Sequence, residues 1–244
     1  MNLKKKVVLI TGSSSGIGRE TALAFAEKGA IVIITYSKNR KGGESVFNEC
    51  KKMSESFLVQ LDICSNNSIK SAVDRIVKKF GKIDILINNA GVLYCKLFSQ
   101  QSLDEIENQI KVNLIGLIKV TSLVLPVMKK IGNGLIINIA SLKGKKPFKK
   151  RTTYCASKFG VRGFSQALAL ELPKKIRLYV INPNPTATRL TNFKGDNPKK
   201  VANVILKVAE GKINKKSGSD IDVEDYQKWN LTLLFLVQQV CKER

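Results

Sequence analysis

Tyr154 and Lys158 stand four residues apart, and the positions that follow, Phe159, Phe164, Ala167, Leu168 and Leu172, have helical spacing. A four-residue step on a helix sets two side chains one above the other on the same face. An ammonium group is therefore expected one turn from a phenol. A nearby positive charge favours the phenolate and lowers a tyrosine pKa from its usual value of about 10. Tyr154 is thus a candidate proton donor and acceptor near neutral pH. Ser141 follows an apolar, strand-like run from Leu135 to Ala140 and is placed to set a hydroxyl beside that phenol. Tyr-x-x-x-Lys alone is a common helix-face pattern, so the surrounding elements decide its meaning.

The composition narrows the chemistry. The 244 residues contain no histidine, which excludes a Ser-His-Asp triad, a Cys-His pair and the usual His-ligated zinc sites. Acid–base work must come from Tyr, Lys, Asp, Glu or Cys. The five cysteines, at 50, 64, 95, 155 and 241, include no Cys-x-x-Cys pair. They suggest free thiols in a reducing compartment, a cytoplasmic location, and neither a metal site nor a disulfide framework. Apolar residues make up 43% of the chain, which is a globular composition. No apolar run approaches the roughly 20 residues a membrane span needs. After Met-Asn-Leu-Lys-Lys-Lys, the apolar run Val7–Ile10 is too short for a signal-peptide core.

The net charge is +23, with 42 basic and 19 acidic residues. Such an excess invites an acidic partner: nucleic acid, anionic lipid or a negatively charged substrate. Lysine greatly outnumbers arginine, however, and Ile and Asn are abundant, as expected of A/T-rich codons. Nucleic-acid sites favour the planar fork of arginine. The excess is read first as composition, with nucleic acid disfavoured and an anionic substrate retained.

The elements that must position these residues alternate. Lys6–Ile10 reads as a strand, Thr11-Gly-Ser-Ser-Ser-Gly-Ile-Gly18 as a glycine-rich turn, 19–28 as an amphipathic helix ended by Gly29, and Ile31–Thr35 as the next strand. Glycines in such a turn allow a backbone to approach a pyrophosphate, and the free N–H groups at the helix start hold the anion. Further strands are expected at Ser56–Leu61, Ile83–Ile87, Leu135–Ala140 and Ile176–Ile181. Helices are expected at Ile69–Phe80, at Leu103–Met128 with Asn113 in its interior, and after Tyr154. Regular alternation predicts an α/β fold, a doubly wound (Rossmann-type) and mostly parallel sheet with helices on both faces. The absence of repeats or linkers predicts one domain over 1–244. Every motif falls just after a strand or on the helix that follows one, where such folds bind ligands.

On these motifs the chain resembles the short-chain dehydrogenase/reductase family over roughly residues 4–190. The motifs are Thr-Gly-x-x-x-Gly-Ile-Gly at 11–18, Asn-Asn-Ala-Gly at 88–91, Asn113, Ser141, Tyr154-x-x-x-Lys158, and Asn182-Pro183 with Thr188. The resemblance implies a catalytic set of Asn113, Ser141, Tyr154 and Lys158. Ser141 would polarise the substrate oxygen, Tyr154 would exchange its proton, Lys158 would lower the Tyr154 pKa and hold the nicotinamide ribose, and Asn113 would position a water linking Lys158 to solvent. It also implies a nicotinamide dinucleotide held by Gly12, Ser14, Ser15, Gly16, Ile17 and Gly18, by Tyr36, Ser37 and Lys38, and by Asp62 at the adenine with Ile63. Asn89, Ala90 and Gly91 would lie behind the ribose, with Pro183, Thr186 and Thr188 after the sixth strand and Tyr154 and Lys158 at the nicotinamide end. Asn88 is read as structural. Dimer contacts through the helices around 103–128 and 154–170 imply a homodimer or homotetramer.

The second strand ends in Thr35-Tyr-Ser-Lys-Asn-Arg40. An acid there would bind the ribose 2′-hydroxyl and select NAD. None is present, and Ser37, Lys38 and Arg40 would welcome a 2′-phosphate, so NADP(H) is favoured over NAD(H). Two departures from the family pattern stand out. Asn184-Pro185 replaces a glycine after Pro183, and Asn is expected to take up the left-handed turn. The tail, about 221–244, lacks the family's paired glycines and carries a stripe of Trp229, Leu233, Leu236 and Val240. That stripe fits core packing, a subunit contact or a cap over the pocket.

The segment between Ser141 and Tyr154 carries Lys143, Lys145, Lys146, Lys149, Lys150 and Arg151. It is either a solvated loop or an attractor for an anionic substrate, such as an acyl group on a phosphorylated carrier. Residues from Arg189 to about Lys200 are expected to form a mobile lid. The leading expectation is an NAD(P)-dependent oxidoreductase that reduces a carbonyl with NADPH or runs the reverse, with 3-oxoacyl-carrier-protein reductase-like activity as an alternative. The competing class is a non-catalytic dinucleotide sensor or nucleic-acid-binding module, which has no need of a Ser–Tyr–Lys set.

Overall fold

The computed structural model describes residues 2–226. The tail stripe of Trp229, Leu233, Leu236 and Val240 lies outside them. Seven strands form one sheet: β1 (Val7–Ile10), β2 (Ile31–Tyr36), β3 (Ser56–Gln60), β4 (Ile85–Asn88), β5 (Gly134–Ile139), β6 (Ile176–Asn182) and β7 (Asp220–Asp222). The order is β3-β2-β1-β4-β5-β6-β7 and every pairing is parallel. Such a sheet is covered on both faces, so its central strands are continuous apolar runs. All residues of β1, β4 and β5 are buried. β7 has no counterpart in the sequence reading, because Asp-Ile-Asp carries too little apolar pattern to announce a strand.

The helices are α1 (Gly16–Glu27), α2 (Arg40–Lys51), α3 (Asn66–Phe80), α4 (Leu103–Ile110), α5 (Leu117–Ile131), α6 (Thr152–Glu171) and α7 (Pro198–Glu210). On one face of the sheet, Phe25 of α1, Val46 of α2 and Val204 and Ile205 of α7 pack on alternate residues of β1, β2 and β4. On the other, Ile69 and Ile76 of α3, Val120 and Val124 of α5 and Val161 of α6 pack on the intervening ones. Cap residues set several helix ends. Ser65 accepts from the Ser68 amide at the start of α3, and Gly81 ends that helix at φ 71°. Ser102 and Glu105 form a reciprocal capping box at α4.

The sequence reading expects one helix from Leu103 to Met128. Instead a π-turn, Lys111–Gly116, separates α4 from α5 and contains Asn113. The stretch Leu103–Ile131 spans 29 residues, and its most apolar 18-residue window has a mean hydropathy of 1.7, long and apolar enough by length and composition to cross a membrane. Lys111 and Lys119 interrupt it, so it is a helical stretch of high average hydropathy and not a continuous apolar run. Its inner face is committed to the protein: Leu117, Val120, Val124 and Met128 are buried on the sheet, and Gln109 and Asn113 are buried beside the polar cluster described next.

Strand order reverses between β1 and β4, and the crevice at their C-terminal ends is where ligands bind in open α/β sheets. The glycine turn, the Asn88–Gly91 segment, Ser141 and the start of α6 all lie at these ends.

Candidate active site

The glycine turn is braced from both neighbouring strands. Thr35, buried at the end of β2, donates its hydroxyl to the Ile10 carbonyl (2.8 Å) and accepts from the Gly12 amide (3.0 Å). Ser13 accepts from the Thr35 amide (2.7 Å). Thr11 accepts from the Asn89 and Ala90 amides at 2.9 and 3.1 Å, and the Asn89 side chain donates to the carbonyls of Thr11 and Gly12 at 3.0 and 3.2 Å. The sequence reading passed over Thr11, Ser13 and Thr35 as binding-site elements. The signal it had was their place, hydroxyl residues at or just after the ends of β1 and β2.

Gly12 has φ +67°, and a Cβ on it would come within 2.9 Å of the Ala90 Cα. A Cβ on Gly18 would collide with the Gly12 carbonyl and the Asn89 amide. The turn therefore has no room for side chains on its inner side and exposes backbone instead. It leads into α1, whose first turn carries no acid and whose N-cap Ser15 makes no side-chain cap hydrogen bond. An N-terminus with unclaimed amides and no carboxylate suits a pyrophosphate. The residues present thus fit a dinucleotide.

At the end of β2, Ser37 and Lys38 are exposed and no acid is adjacent. Lys38 forms no ion pair among the described residues. Arg40, by contrast, is paired with Glu44 at 2.8 Å, and Asn39 caps α2. Tyr36 packs over Gly43. Asp62 accepts from the Cys64 amide at 3.0 Å, so one carboxylate oxygen shapes the turn after β3. Ile63 is buried against Gly116 of the π-turn.

Asn113 is 1% exposed and its amide is fully engaged. It accepts from the Val92 amide (2.8 Å) and donates to the Val92 carbonyl (3.0 Å) and to Ser157 Oγ (3.1 Å). Ser157 donates to the Tyr154 carbonyl at 2.7 Å. Asn113 therefore ties the loop after β4 to α6. Any water it positions must be held by π-turn backbone, since the side chain's own groups are taken. Asn88 is wholly structural in its contacts: it donates to Thr121 (2.9 Å) and to Asn138 (2.8 Å), its neighbour across the β4–β5 pair.

Ser141 accepts from the Lys143 amide at 3.2 Å, and its hydroxyl stands close enough to the Tyr154 phenol to pull that group's pKa down. Lys158 is buried. Its ammonium donates to the Ile139 carbonyl at 2.8 Å and lies 5.8 Å from the centre of the Tyr154 ring. Burial pushes the Tyr154 phenol above its ordinary pKa; the neighbouring Ser141 hydroxyl and the charge of Arg151 pull the other way without prevailing. Burial also draws Lys158 down to about 8. This corrects the expectation that the ammonium acidifies the phenol. The four-residue step does stack the two side chains, but burial dominates the phenol, and the ammonium is aimed at the Ile139 carbonyl.

After β6, Pro183 accepts from the Leu142 amide (3.3 Å), and Thr188 packs its methyl group over Gly16. Thr186 donates to the Asn184 carbonyl at 2.8 Å. Asn184 makes no use of its tolerance for the left-handed region and lies outside it; its amide reaches Glu224 at 3.4 Å. The expected lid is tied down: Ala187 and Asp196 pair through backbone (2.8 Å), Thr191 donates to the Thr186 carbonyl (2.6 Å), and α7 already begins at Pro198. In the basic segment, Lys145 is held by Asp222 at 2.6 Å, and Lys143 lies 4.0 Å over the Phe148 ring.

Fold and site together define a doubly wound α/β protein with a glycine cradle at its switch point and a Ser–Tyr–Lys cluster beside it. Residues 6–199 match the family model for short chain dehydrogenases. The chain is 33% identical over 242 residues to the 3-oxoacyl-[acyl-carrier-protein] reductase of Thermotoga maritima, covering 92% of this chain and 98% of that protein. It is 34% identical over 191 residues to the 3-ketodihydrosphingosine reductase of Bacteroides thetaiotaomicron, covering 78% and 67%. The crystal structure of a short-chain type dehydrogenase/reductase from Mycobacterium marinum superposes with a TM-score of 0.85 at 26% identity, covering 91% and 94%. The chain belongs to the short-chain dehydrogenase family and is an oxidoreductase acting on carbonyl or alcohol groups.

Proposed function

We propose that this protein is an NADPH-dependent reductase of a 3-oxoacyl thioester or a closely similar anionic carbonyl compound. The observation that carries the reading is the cluster at the strand ends: the Ser141 hydroxyl beside the Tyr154 phenol, with buried Lys158 one helical turn on. Similarity to a 3-oxoacyl-[acyl-carrier-protein] reductase along nearly the whole chain supports the substrate class. A binding-only module has no use for this cluster.

In this reading the glycine turn and the α1 amides hold the coenzyme pyrophosphate, and Asp62 and Ile63 border the adenine. Asn89, Ala90 and Gly91 back the ribose, and Ser37 and Lys38 receive the 2′-phosphate. Pro183, Thr186 and Thr188 close the nicotinamide end. Bound there, the dihydronicotinamide supplies the hydride. Ser141 donates a hydrogen bond to the substrate oxygen. Tyr154 gives that oxygen its proton, and Lys158 bonds the ribose and carries charge beneath the phenol. Asn113, through the π-turn, links Lys158 to solvent so that the proton is replaced.

The mouth fits an anion. Lys146, Lys149 and Lys150 are exposed. Arg151 stands three residues before Tyr154, with one guanidinium nitrogen buried and without a hydrogen-bond partner among the described residues. Exposed Phe148, Leu190 and Phe193 add an apolar rim for an acyl chain. Leu103, Ile115 and Leu123 on the α4–α5 stretch and Phe159 and Leu170 on α6 are exposed and apolar. We read them as the subunit contact of a homo-oligomer, and the enzyme as cytoplasmic.

The test is turnover of acetoacetyl-CoA with NADPH against NADH, with Tyr154→Phe as control. The reading expects NADPH oxidation by the wild type and a loss of about a thousandfold in the variant, with NADPH binding retained. A Phe variant as active as wild type removes Tyr154 from its role.

A further inference from the structure

Arg162 of α6 has every part of its fork engaged, in a way no helix-surface arginine requires. Nε and one terminal nitrogen grip Asp220 of β7 at 2.9 and 2.6 Å, a bidentate pair. The other terminal nitrogen donates to the Gly144 carbonyl at 2.8 Å. Gly144 belongs to the short 3-10 turn, Leu142–Gly144, that directly follows Ser141. Its amide returns to the Ser141 carbonyl at 2.8 Å. The turn is pressed against the backbone of α6 at the level of the cluster: a Cβ on Gly144 would stand 2.7 Å from the Lys158 carbonyl.

Asp220 is in turn fixed from β6. Asn182 is fully buried and donates to Asp220 and Asp222, each at 2.9 Å. Lys145, next in the chain after the turn, pairs with Asp222 at 2.6 Å. The support under Ser141 thus runs from α6 through Arg162 to β7 and back to the turn through two acids.

We propose that Arg162 is a positioning residue for Ser141, acting through the Gly144 carbonyl and held in place by Asp220. It rests on the Ser–Tyr–Lys reading above. A hydrogen bond to the substrate oxygen is effective only at a fixed separation, and a displacement of about 1 Å costs on the order of a hundredfold in rate. Ser141 lies on a loop, and Arg162 anchors that loop to the rigid helix that also carries Tyr154 and Lys158. Lysine cannot replace it, because an ammonium cannot bind two carboxylate oxygens and a carbonyl in one plane.

The experiment is a double-mutant cycle of Arg162→Met and Ser141→Ala, read as kcat for acetoacetyl-CoA, KM for NADPH, and Tm. Arg162→Met alone is expected to lower kcat about tenfold with KM for NADPH within about twofold of wild type, and Arg162→Lys to recover only part of the loss. With Ser141→Ala already present, the same change is expected to cost less than about twofold in kcat while lowering Tm as much as before. Equal losses of kcat in both backgrounds overturn the proposal and leave a purely structural role. If Ser141→Ala leaves kcat unchanged, the Ser–Tyr–Lys reading itself fails, and the proposal with it. Should Arg162→Met not fold, Asp220→Asn releases the same anchor with little change of shape and runs through the same cycle.

Discussion

Lys158 sits one helical turn beyond Tyr154 with its ammonium 5.8 Å from the ring centre, yet bonds the Ile139 carbonyl instead. Burial holds its pKa at about 8, below the ordinary 10.5. Between those values the unfolded chain binds more protons than the native one, so native stability rises with pH across that window. Below pH 8 the full cost of the buried charge is present, on the order of 3 kcal/mol. Lys158→Met is therefore expected to be inactive but at least as stable as wild type at pH 7, and its advantage should shrink toward pH 10. Urea unfolding of both proteins at several pH values measures this. An advantage that does not change between pH 7 and 10 contradicts the assignment.

Gly18 offers a sharper test of the coenzyme cradle. A methyl group there meets the Gly12 carbonyl and the Asn89 amide, both backed by hydrogen bonds to Thr11 and Thr35. The turn must move to admit it. Gly18→Ala is expected to weaken NADPH binding at least about tenfold, seen by fluorescence titration, and to lower Tm by several degrees, about 2–4 °C for each kcal/mol lost.

What the sequence disclosed, and what it did not, divides along the chain's own geometry. The glycine turn, the Asn88–Gly91 segment and the Tyr154–Lys158 pair are local patterns with fixed spacing, and they fall at strand ends because βα alternation puts them there. The π-turn at Asn113 was invisible because inserting one residue into a helix barely alters its apolar period. Arg162 and Asp220 lie 58 residues apart, and nothing in either neighbourhood marks them as partners. The direction of the Tyr154 shift was misjudged for a related reason: spacing reveals that a charge is near, but burial, the larger effect, depends on every element packed around it.

In the proposed reading, Ser37 and Lys38 receive the coenzyme's 2′-phosphate. Arg40 is already paired with Glu44, whereas Lys38, at the end of β2, forms no ion pair among the described residues. Replacing Ser37 with Asp puts a carboxylate where a 2′-phosphate is expected and offers an acceptor to a 2′-hydroxyl. The expected result is a loss of about a hundredfold in kcat/KM with NADPH and a gain with NADH, read in parallel steady-state assays. Lys38→Ala should weaken NADPH alone. Unchanged NADPH kinetics in both variants would place the phosphate elsewhere.

Asp84 joins the lower ends of β1 and β4. Burial works against its charge, but the Val7 amide (2.8 Å), Lys82 (3.0 Å) and Lys6 (3.1 Å) more than offset it and hold the carboxyl below its ordinary pKa. A depressed carboxylate contributes stability above its unfolded pKa of about 3.8 and loses it as pH falls through the native value. Asp84→Asn is expected to cost about 1–3 kcal/mol at pH 7. The gap to wild type should narrow below about pH 4, a trend that thermal melts across pH 3–7 will follow.

The basic mouth separates attraction from mere composition. Lys145 serves Asp222, so a test that neutralises it confuses binding with structure. Lys146, Lys149 and Lys150 are exposed, and Arg151, three residues before Tyr154, keeps a buried nitrogen without a partner among the described residues. A group desolvated in this way costs about 1–3 kcal/mol unless something meets it, and an anion on the substrate does so. Arg151→Gln is expected to raise KM for acetoacetyl-CoA about tenfold and leave KM for the uncharged ester ethyl acetoacetate within about twofold. Glutamine at all three lysines should act differently. Exposed charges attract at long range and are screened over roughly 10 Å at 0.1 M salt, so that variant's defect should fade as salt rises while the Arg151 defect persists. Equal effects on the charged and the neutral substrate would leave the basic excess as composition alone.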